Sequence, residues 1–394
     1  MPVEIAAANR RALDRLTRAR PAWTAVRTAR EALGLEGRSL LHAGPPIDRE
    51  RMCGPMRGGV LAAILHEGWA RSPAEAAELA ASAEVRYESC HARGAVGPMA
   101  GIISPGMPVL VVEDRANGTV ACATLNEGPS PAARFGAHGP ETVERLRWLR
   151  DVLAPALARV VEREGPVELT PLMAQALAMG DEMHMRNTAA SALLVRLLAA
   201  PLAGAVPDRA RLQAILGFLA RGNDQLFLNF AMAAAKAAAR AVDGLAGSTV
   251  VSTMARNGVE FGIRVAGLGD RWFTGPASTV DGVFLPGFGP EDATPDIGDS
   301  AIMETYGLGA FAMAAAPAVL GVVGPKSFAD ALGTTRHMAE ICLGTNPAFP
   351  VPALDGDGTP AGIDLRRVVQ TGIVPVMNTA IAHRDPEVGR MVGA

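Results

Sequence analysis

The stretch VLVVEDRANGTVACATL (109–125) decides the fold class. Val109–Val112 and Val120–Leu125 are short apolar runs suited to strands. Asn117-Gly118 between them supplies the two residues that most readily adopt the positive φ of a tight hairpin turn. Around the hairpin, from Leu40 to Phe135, the texture stays strand-like and turn-rich. Val60–Leu65 is a further strand-like run, and Ala43-Gly44-Pro45-Pro46 and Ser104-Pro105-Gly106 are turn signals. Ser72-Pro73-Ala74-Glu75 combines an N-cap serine, a proline at the first helical position and a glutamate three residues on, which predicts a helix start. Upstream, Ile5, Leu13, Leu16, Trp23, Val26, Ala29 and Leu33 recur at helical spacing and predict helices broken at Pro21. Downstream, Val143, Leu146, Leu149, Val152, Leu153, Leu157 and Val160 open a helical body that continues through Leu193–Leu198, Leu212–Leu219 and Leu226–Val242. After Gly244 the Gly/Pro-punctuated texture returns. The expectation is a multi-domain α+β chain in which two Gly/Pro-rich α/β regions, 1–139 and 245–394, flank an all-helical domain at 140–244.

The 394 residues are 49% hydrophobic but only 4% aromatic, so the cores must be filled by aliphatic side chains, alanine and the 16 methionines. A net charge of −3 gives no general basic surface, which argues against a nucleic-acid partner. The opening MPVEIAAANRRALDRLTRAR lacks the apolar core of a signal peptide. No run of 18 apolar residues is uninterrupted, and the longest candidate, Ala310 to Val323, carries Pro317 and reads as a buried helix. Cys53, Cys90, Cys122 and Cys342 are widely spaced without a CxxC pair, which fits reduced thiols. Cytoplasmic location without a membrane partner is the expectation.

Polar residues beside loop glycines are the informative ones, because glycine lets backbone amides approach a ligand. Arg51 and Arg57, in a turn-rich segment, suit bidentate contact with a carboxylate or phosphate; two surface arginines fit the same spacing equally well. Ser89-Cys90-His91-Ala92-Arg93 leads into Gly94–Gly101, which reads as an anion loop around Gly97 with His91 and Arg93 at its rim. Asn126 and Glu127 end a strand, where Asn126 serves as well for turn capping. Asp181 and His184 are three apart and would share a helix face. The spacing lacks a second histidine, so no metal is expected. Arg256, Asn257, Glu260 and Arg264 surround another Asn-Gly turn; an anion site and a hairpin with an ion pair both fit. Asp296, Asp299 and Glu304 precede a helix, where capping is the plain alternative. Gly307-Leu308-Gly309-Ala310-Phe311-Ala312 matches a dinucleotide fingerprint only in letters, since no hydrophobic strand precedes it. Close helix approach or an anion-facing helix N-terminus fits better, and no cofactor is expected.

Six patches in order carry a resemblance: Leu41-His42-Ala43-Gly44-Pro45-Pro46, Arg51–Gly58, Ala95–Gly101, Thr124–Gly128, Met254–Gly258 and Pro295–Ala301. Together they resemble the YlbE-type family, from about Leu40 to His383. The resemblance implies α+β domains with a helical insertion. It also implies a subunit of the oxamate carbamoyltransferase of allantoin breakdown, which converts oxalurate and phosphate to oxamate and carbamoyl phosphate. Its partners would be an FdrA-type subunit, similar to the succinyl-CoA synthetase α chain, and a third subunit; homo-oligomerisation stays open. Such chemistry needs cations for phosphate and carboxylate, donors for a tetrahedral oxyanion and an acid for the leaving nitrogen. Arg51, Arg57, Arg256 and Arg264 are the expected anion binders, with Asn257, Gly97, Asn126 and Asp299 beside them. His91, His184 and Glu127 are the expected catalytic groups. Two other readings are a non-catalytic assembly subunit for the FdrA-type partner and an acyl- or CoA-ligase-like enzyme.

Overall fold

Pro108–Asp114 and Thr119–Thr124 pair antiparallel from Val109↔Thr124 to Asp114↔Thr119, and Gly118 takes φ 71° in the turn. Asp114 organises that turn, its carboxylate accepting from Ala116 N at 3.0 Å and its carbonyl from Gly118 N at 2.7 Å. The hairpin sits inside a five-stranded sheet ordered Ala95–Val96, Thr119–Thr124, Pro108–Asp114, Pro21–Thr28, Val167–Glu168. This computed structural model describes residues 2–221, 223–321, 323 and 327–394.

Two local expectations are corrected. Pro2–Thr17 is a helix, but Pro21–Thr28 is a strand, antiparallel to Pro108–Asp114. Proline is tolerated there because it opens the strand. Trp23 and Val26, which mimicked a helical stripe, face the core, and Trp23 meets Phe230 edge-on at 5.1 Å. Conversely, Val60–Leu65 lies within the helix Gly54–Glu67. That helix is buried on most of its surface, so its sequence lacks the polar face that would have identified it. Pro55 near its start and Gly68 at its left-handed C-cap (φ 71°) mark its ends.

From 140 onward the predicted helices form: Pro140–Trp148, running through a wide turn into Ala154–Glu164, then Leu169–Ala178, Thr188–Ala205, Arg209–Ala220 and Leu228–Arg240. The stretch is not purely helical, since Val167–Glu168 pairs with the strand Pro21–Thr28. Its helices and the five-stranded sheet share one hydrophobic core. Leu228–Arg240 packs against Pro108–Asp114 and Thr119–Thr124, and its alanines from 231 to 239 let it approach closely. Thr188–Ala205 is long and apolar enough to cross a bilayer, yet Leu194, Leu198 and Leu202 are buried in this core.

Beyond residue 245 a four-stranded antiparallel sheet runs Trp272–Pro276, Glu260–Val265, Val251–Asn257, Ile297–Gly298. The helix Phe328–Glu340, the hairpin Cys342–Pro350/Gly358–Ile363 and a small C-terminal pair, Ile381–Ala382 with Met391–Gly393, complete it. The chain is thus mixed α+β with several sheets. The apolar run from Ala310 is not one helix: it forms tight 3₁₀ turns at Gly309–Ala315 and Pro317–Val319, and part of its end lies outside the described residues. All four cysteines are free thiols.

Candidate active site

Three of the sequence-predicted residues, Asp299, Gly97 and His91, belong to one buried polar network. Asp299 follows the short strand Ile297–Gly298 and is fully enclosed. Its carboxylate accepts from Gly44 N at 2.7 Å and Gly97 N at 2.9 Å, and its Oδ1 lies 3.0 Å from His91 Nε2. The expected anion loop at 94–101 therefore does bind an anion through Gly97, but the anion is the chain's own Asp299. Burial pushes the His91 pKa down, Asp299 pulling the other way. Arg93 is outside the network, paired with Glu88 at 2.8 Å.

The four arginines do not gather around a common guest. Arg256 is buried and makes four hydrogen bonds: two to Asp296 (2.7 and 3.0 Å), one to Thr379 Oγ1 (3.0 Å) and one to the Gly298 carbonyl (2.8 Å). Burial alone would disfavour both charges, but the pairing outweighs it. Asp296 titrates below its usual range and Arg256 above. Asn257 caps its own hairpin, accepting from Val259 N and Glu260 N at 3.0 and 2.7 Å. Arg264 pairs with Asp270 and, at 3.9 Å, with Asp243. Arg51 is an exposed partner of Glu260 at 3.3 Å, and Arg57 donates to the Met52 carbonyl at 2.6 Å. Asn126 and Glu127 shape the next loop. Asn126 accepts from Gly128 N at 2.9 Å, and the Glu127 carboxylate accepts from Ala133 N and Arg134 N at 2.6 and 3.1 Å. Burial raises the Glu127 pKa, with Arg134 opposing.

The opening lies beside this network. A cleft of about 500 Å³ is bounded by the loops carrying Met99, Arg134, His184, Asn223 and Ser300 and by the C-terminal strand pair. Three of its polar side chains have buried atoms without a hydrogen-bond partner among the described residues: Arg134 Nη1, His184 Nε2, and both amide atoms of Asn223. Unsatisfied buried polar atoms are costly, and a cleft lined by several of them is arranged for a polar guest. Arg134 is anchored through Nη2 to the Gly128 carbonyl at 2.6 Å. Burial lowers its pKa and Glu127 opposes, but a guanidinium keeps its charge. None of the four expected arginines lines this cleft.

His184 is not on a helix with Asp181, which corrects the shared-face expectation. Gly180 (φ 92°) ends the helix Leu169–Ala178, and Met183 takes φ 63°. The loop is tied by Glu182, which accepts from the backbone of His184 and, at 2.7 Å, of Met185. Asp181 instead pairs with Arg186 and accepts from Ala190 N at 2.7 Å. His184 Nδ1 lies 2.7 Å from Glu304 Oε1. Just past the glycines at 307 and 309, Ala310 N donates to Glu304 Oε1 at 3.1 Å, while Gly309 N donates to the Glu182 carbonyl at 2.8 Å. Met99 (φ 55°), which also lines the cleft, is another non-glycine residue in the left-handed region, and such backbone clusters at functional sites. No group of three metal-ligating side chains is found among the described residues.

His184 was visible in sequence; Arg134 follows the loop of Asn126 and Glu127 but was not among the expected arginines. Asn223 carries no local signal at all, standing in a short break between helices.

Positions 85–300, which include Arg134, His184, Asn223 and Ser300, match the family described as oxamate carbamoyltransferase subunit AllG. The chain is 45% identical over 394 residues to the oxamate carbamoyltransferase subunit AllG of Escherichia coli (strain K12), covering 99% of this chain and 94% of that protein. It is 44% identical over 392 residues to the uncharacterized protein YahG of the same organism, covering 99% and 82%. A crystal structure of a conserved protein of unknown function from Enterococcus faecalis V583 superposes with a TM-score of 0.96 at 43% identity, covering 99% of this chain and 93% of that one.

Proposed function

Since the chain belongs to the oxamate carbamoyltransferase subunit AllG family, we propose that its cleft binds oxalurate and phosphate and contributes directly to carbamoyl transfer. The observation that carries this reading is the set of unpartnered polar atoms on Arg134, His184 and Asn223 around one opening. In the reaction a phosphate oxygen attacks the ureido carbonyl carbon of oxalurate, and the bond from that carbon to the oxamate nitrogen breaks. The proton lost by hydrogen phosphate ends on that nitrogen.

Each group has a task in that sequence. Arg134 supplies a fixed positive charge for a carboxylate or phosphate. The Asn223 amide offers a donor for the oxyanion that develops on the ureido carbonyl and an acceptor for its amino group. His184 Nε2 accepts the proton of the attacking phosphate and returns it to the leaving nitrogen. Partner subunits complete the enzyme in this reading, an FdrA-type chain and a third, small-molecule-handling chain. The network at Asp299 and Arg256 holds the loops in register and does not touch the guest.

The test is phosphate-dependent cleavage of oxalurate by the chain co-purified with its partners. His184→Gln and Arg134→Gln should each lower turnover at least about tenfold, equivalent to about 1.4 kcal/mol of barrier, without loss of thermal stability or assembly. Full turnover in both variants places the chemistry in a partner.

A further inference from the structure

We propose that Glu304 is the positioning residue of this cleft, holding the His184 ring by Nδ1 so that Nε2 is the nitrogen offered to the guest. The inference rests on the reading of His184 given above and adds the group that sets its tautomer.

Glu304 belongs to the single-turn helix Ile302–Thr305 and is fully buried. Its neighbours are arranged for its carboxylate. Oε1 receives Ala310 N at 3.1 Å and Asn378 N at 3.2 Å besides the His184 ring at 2.7 Å. Gly309 (φ 60°) leaves the space it needs, since a Cβ there would lie 2.1 Å from Oε1. Oε2 has no partner among the described residues. A carboxylate buried only for stability would be expected to satisfy both oxygens or to take a cation directly. The nearby cation, Arg256, gives its hydrogen bonds to Asp296, Thr379 and the Gly298 carbonyl. Among the described residues, the one side chain hydrogen-bonded to Glu304 is His184, through Nδ1.

The electrostatic surroundings lead the same way. Glu182 and Asp296 also face His184, but Glu182 binds the backbone of residues 184–186 and Asp296 is neutralised by Arg256. An ionised carboxylate only accepts, so the nitrogen against Glu304 must carry the proton and Nε2 must carry the lone pair. When Nε2 takes a proton, the same carboxylate stabilises the imidazolium.

The tautomer is read directly from the ¹⁵N shifts of the histidine rings in the whole chain labelled at histidine, with His184→Gln supplying the assignment. The wild-type ring should be protonated at Nδ1 when neutral. Glu304→Gln, whose side-chain amide can donate as well as accept, should give a mixture of both tautomers. In the co-purified complex this variant should lose about tenfold or more in kcat while KM stays nearly constant, which a general loosening of the fold would not produce. An Nε2-protonated ring in the wild-type chain overturns the proposal without requiring any variant to fold. An unchanged tautomer and kcat in Glu304→Gln overturns it equally. Failure of the underlying reading shows separately, as full turnover in His184→Gln.

Discussion

Lys236 takes an amine into the middle of the alanine-rich helix Leu228–Arg240, where among the described residues its hydrogen-bond partner is Thr253 Oγ1 at 3.5 Å. Burial lowers its pKa from 10.5 to about 8, with Asp243 opposing and Arg264 and Arg240 adding to the fall. The folded-state value lies below the unfolded one, so between them the unfolded chain binds the extra proton and stability rises with pH. Below pH 8 both states are protonated and the folded chain bears the full cost of the buried charge, on the order of 3 kcal/mol. Stability measured by chemical denaturation should therefore climb from about pH 8 to 10 in the wild-type chain, and Lys236→Met should remove most of that climb. A variant with the same slope would show that Lys236 is not the group responsible.

At the scale of elements, close backbone contact does much of the positioning. Gly44 (φ 83°) lies so near the strand Val251–Asn257 that a Cβ would fall 2.6 Å from Arg256 C and Asn257 N. Gly68 (φ 71°) has open space around it. Both substitutions to alanine carry left-handed strain, roughly 1 kcal/mol. Gly44→Ala must in addition displace a strand and loosen the Gly44–Asp299 hydrogen bond. Urea denaturation should show it to be the costlier by about 2 kcal/mol or more; equal losses would mean that the strand yields freely.

The same elements show what sequence could reveal. Both Asn-Gly hairpins and the Ser72 helix start were legible because turn and cap chemistry is local. Pro21–Thr28 and Gly54–Glu67 were misread because elements buried on both faces lose the polar side that distinguishes period 2 from period 3.6.

For the whole molecule, the limit on legibility is that the cleft is assembled from distant stretches. Arg134, His184, Asn223, Ser300 and the C-terminal residues reach it from separate loops, and no spacing rule joins them. Charge was a misleading guide, because the pattern of the chain does not say which guanidinium is already neutralised. Arg256 finds Asp296 forty residues on, whereas Arg134 keeps one terminal nitrogen without a partner among the described residues. The resemblance to a carbamoyltransferase subunit was carried by glycines, prolines and polar residues of loops. Several of these, Gly44, Gly97 and Asp299 among them, are hydrogen-bonded to one another within the buried scaffold.

The central claim is that the anionic substrates are held between Arg134, His184 and Asn223. A crystal structure of the chain with oxamate tests it most directly. The account predicts the oxamate carboxylate within hydrogen-bonding distance of Arg134 Nη1, with its amide nitrogen toward His184 Nε2. Oxamate bound instead at Arg51 or Arg57, with this cleft empty, would contradict it.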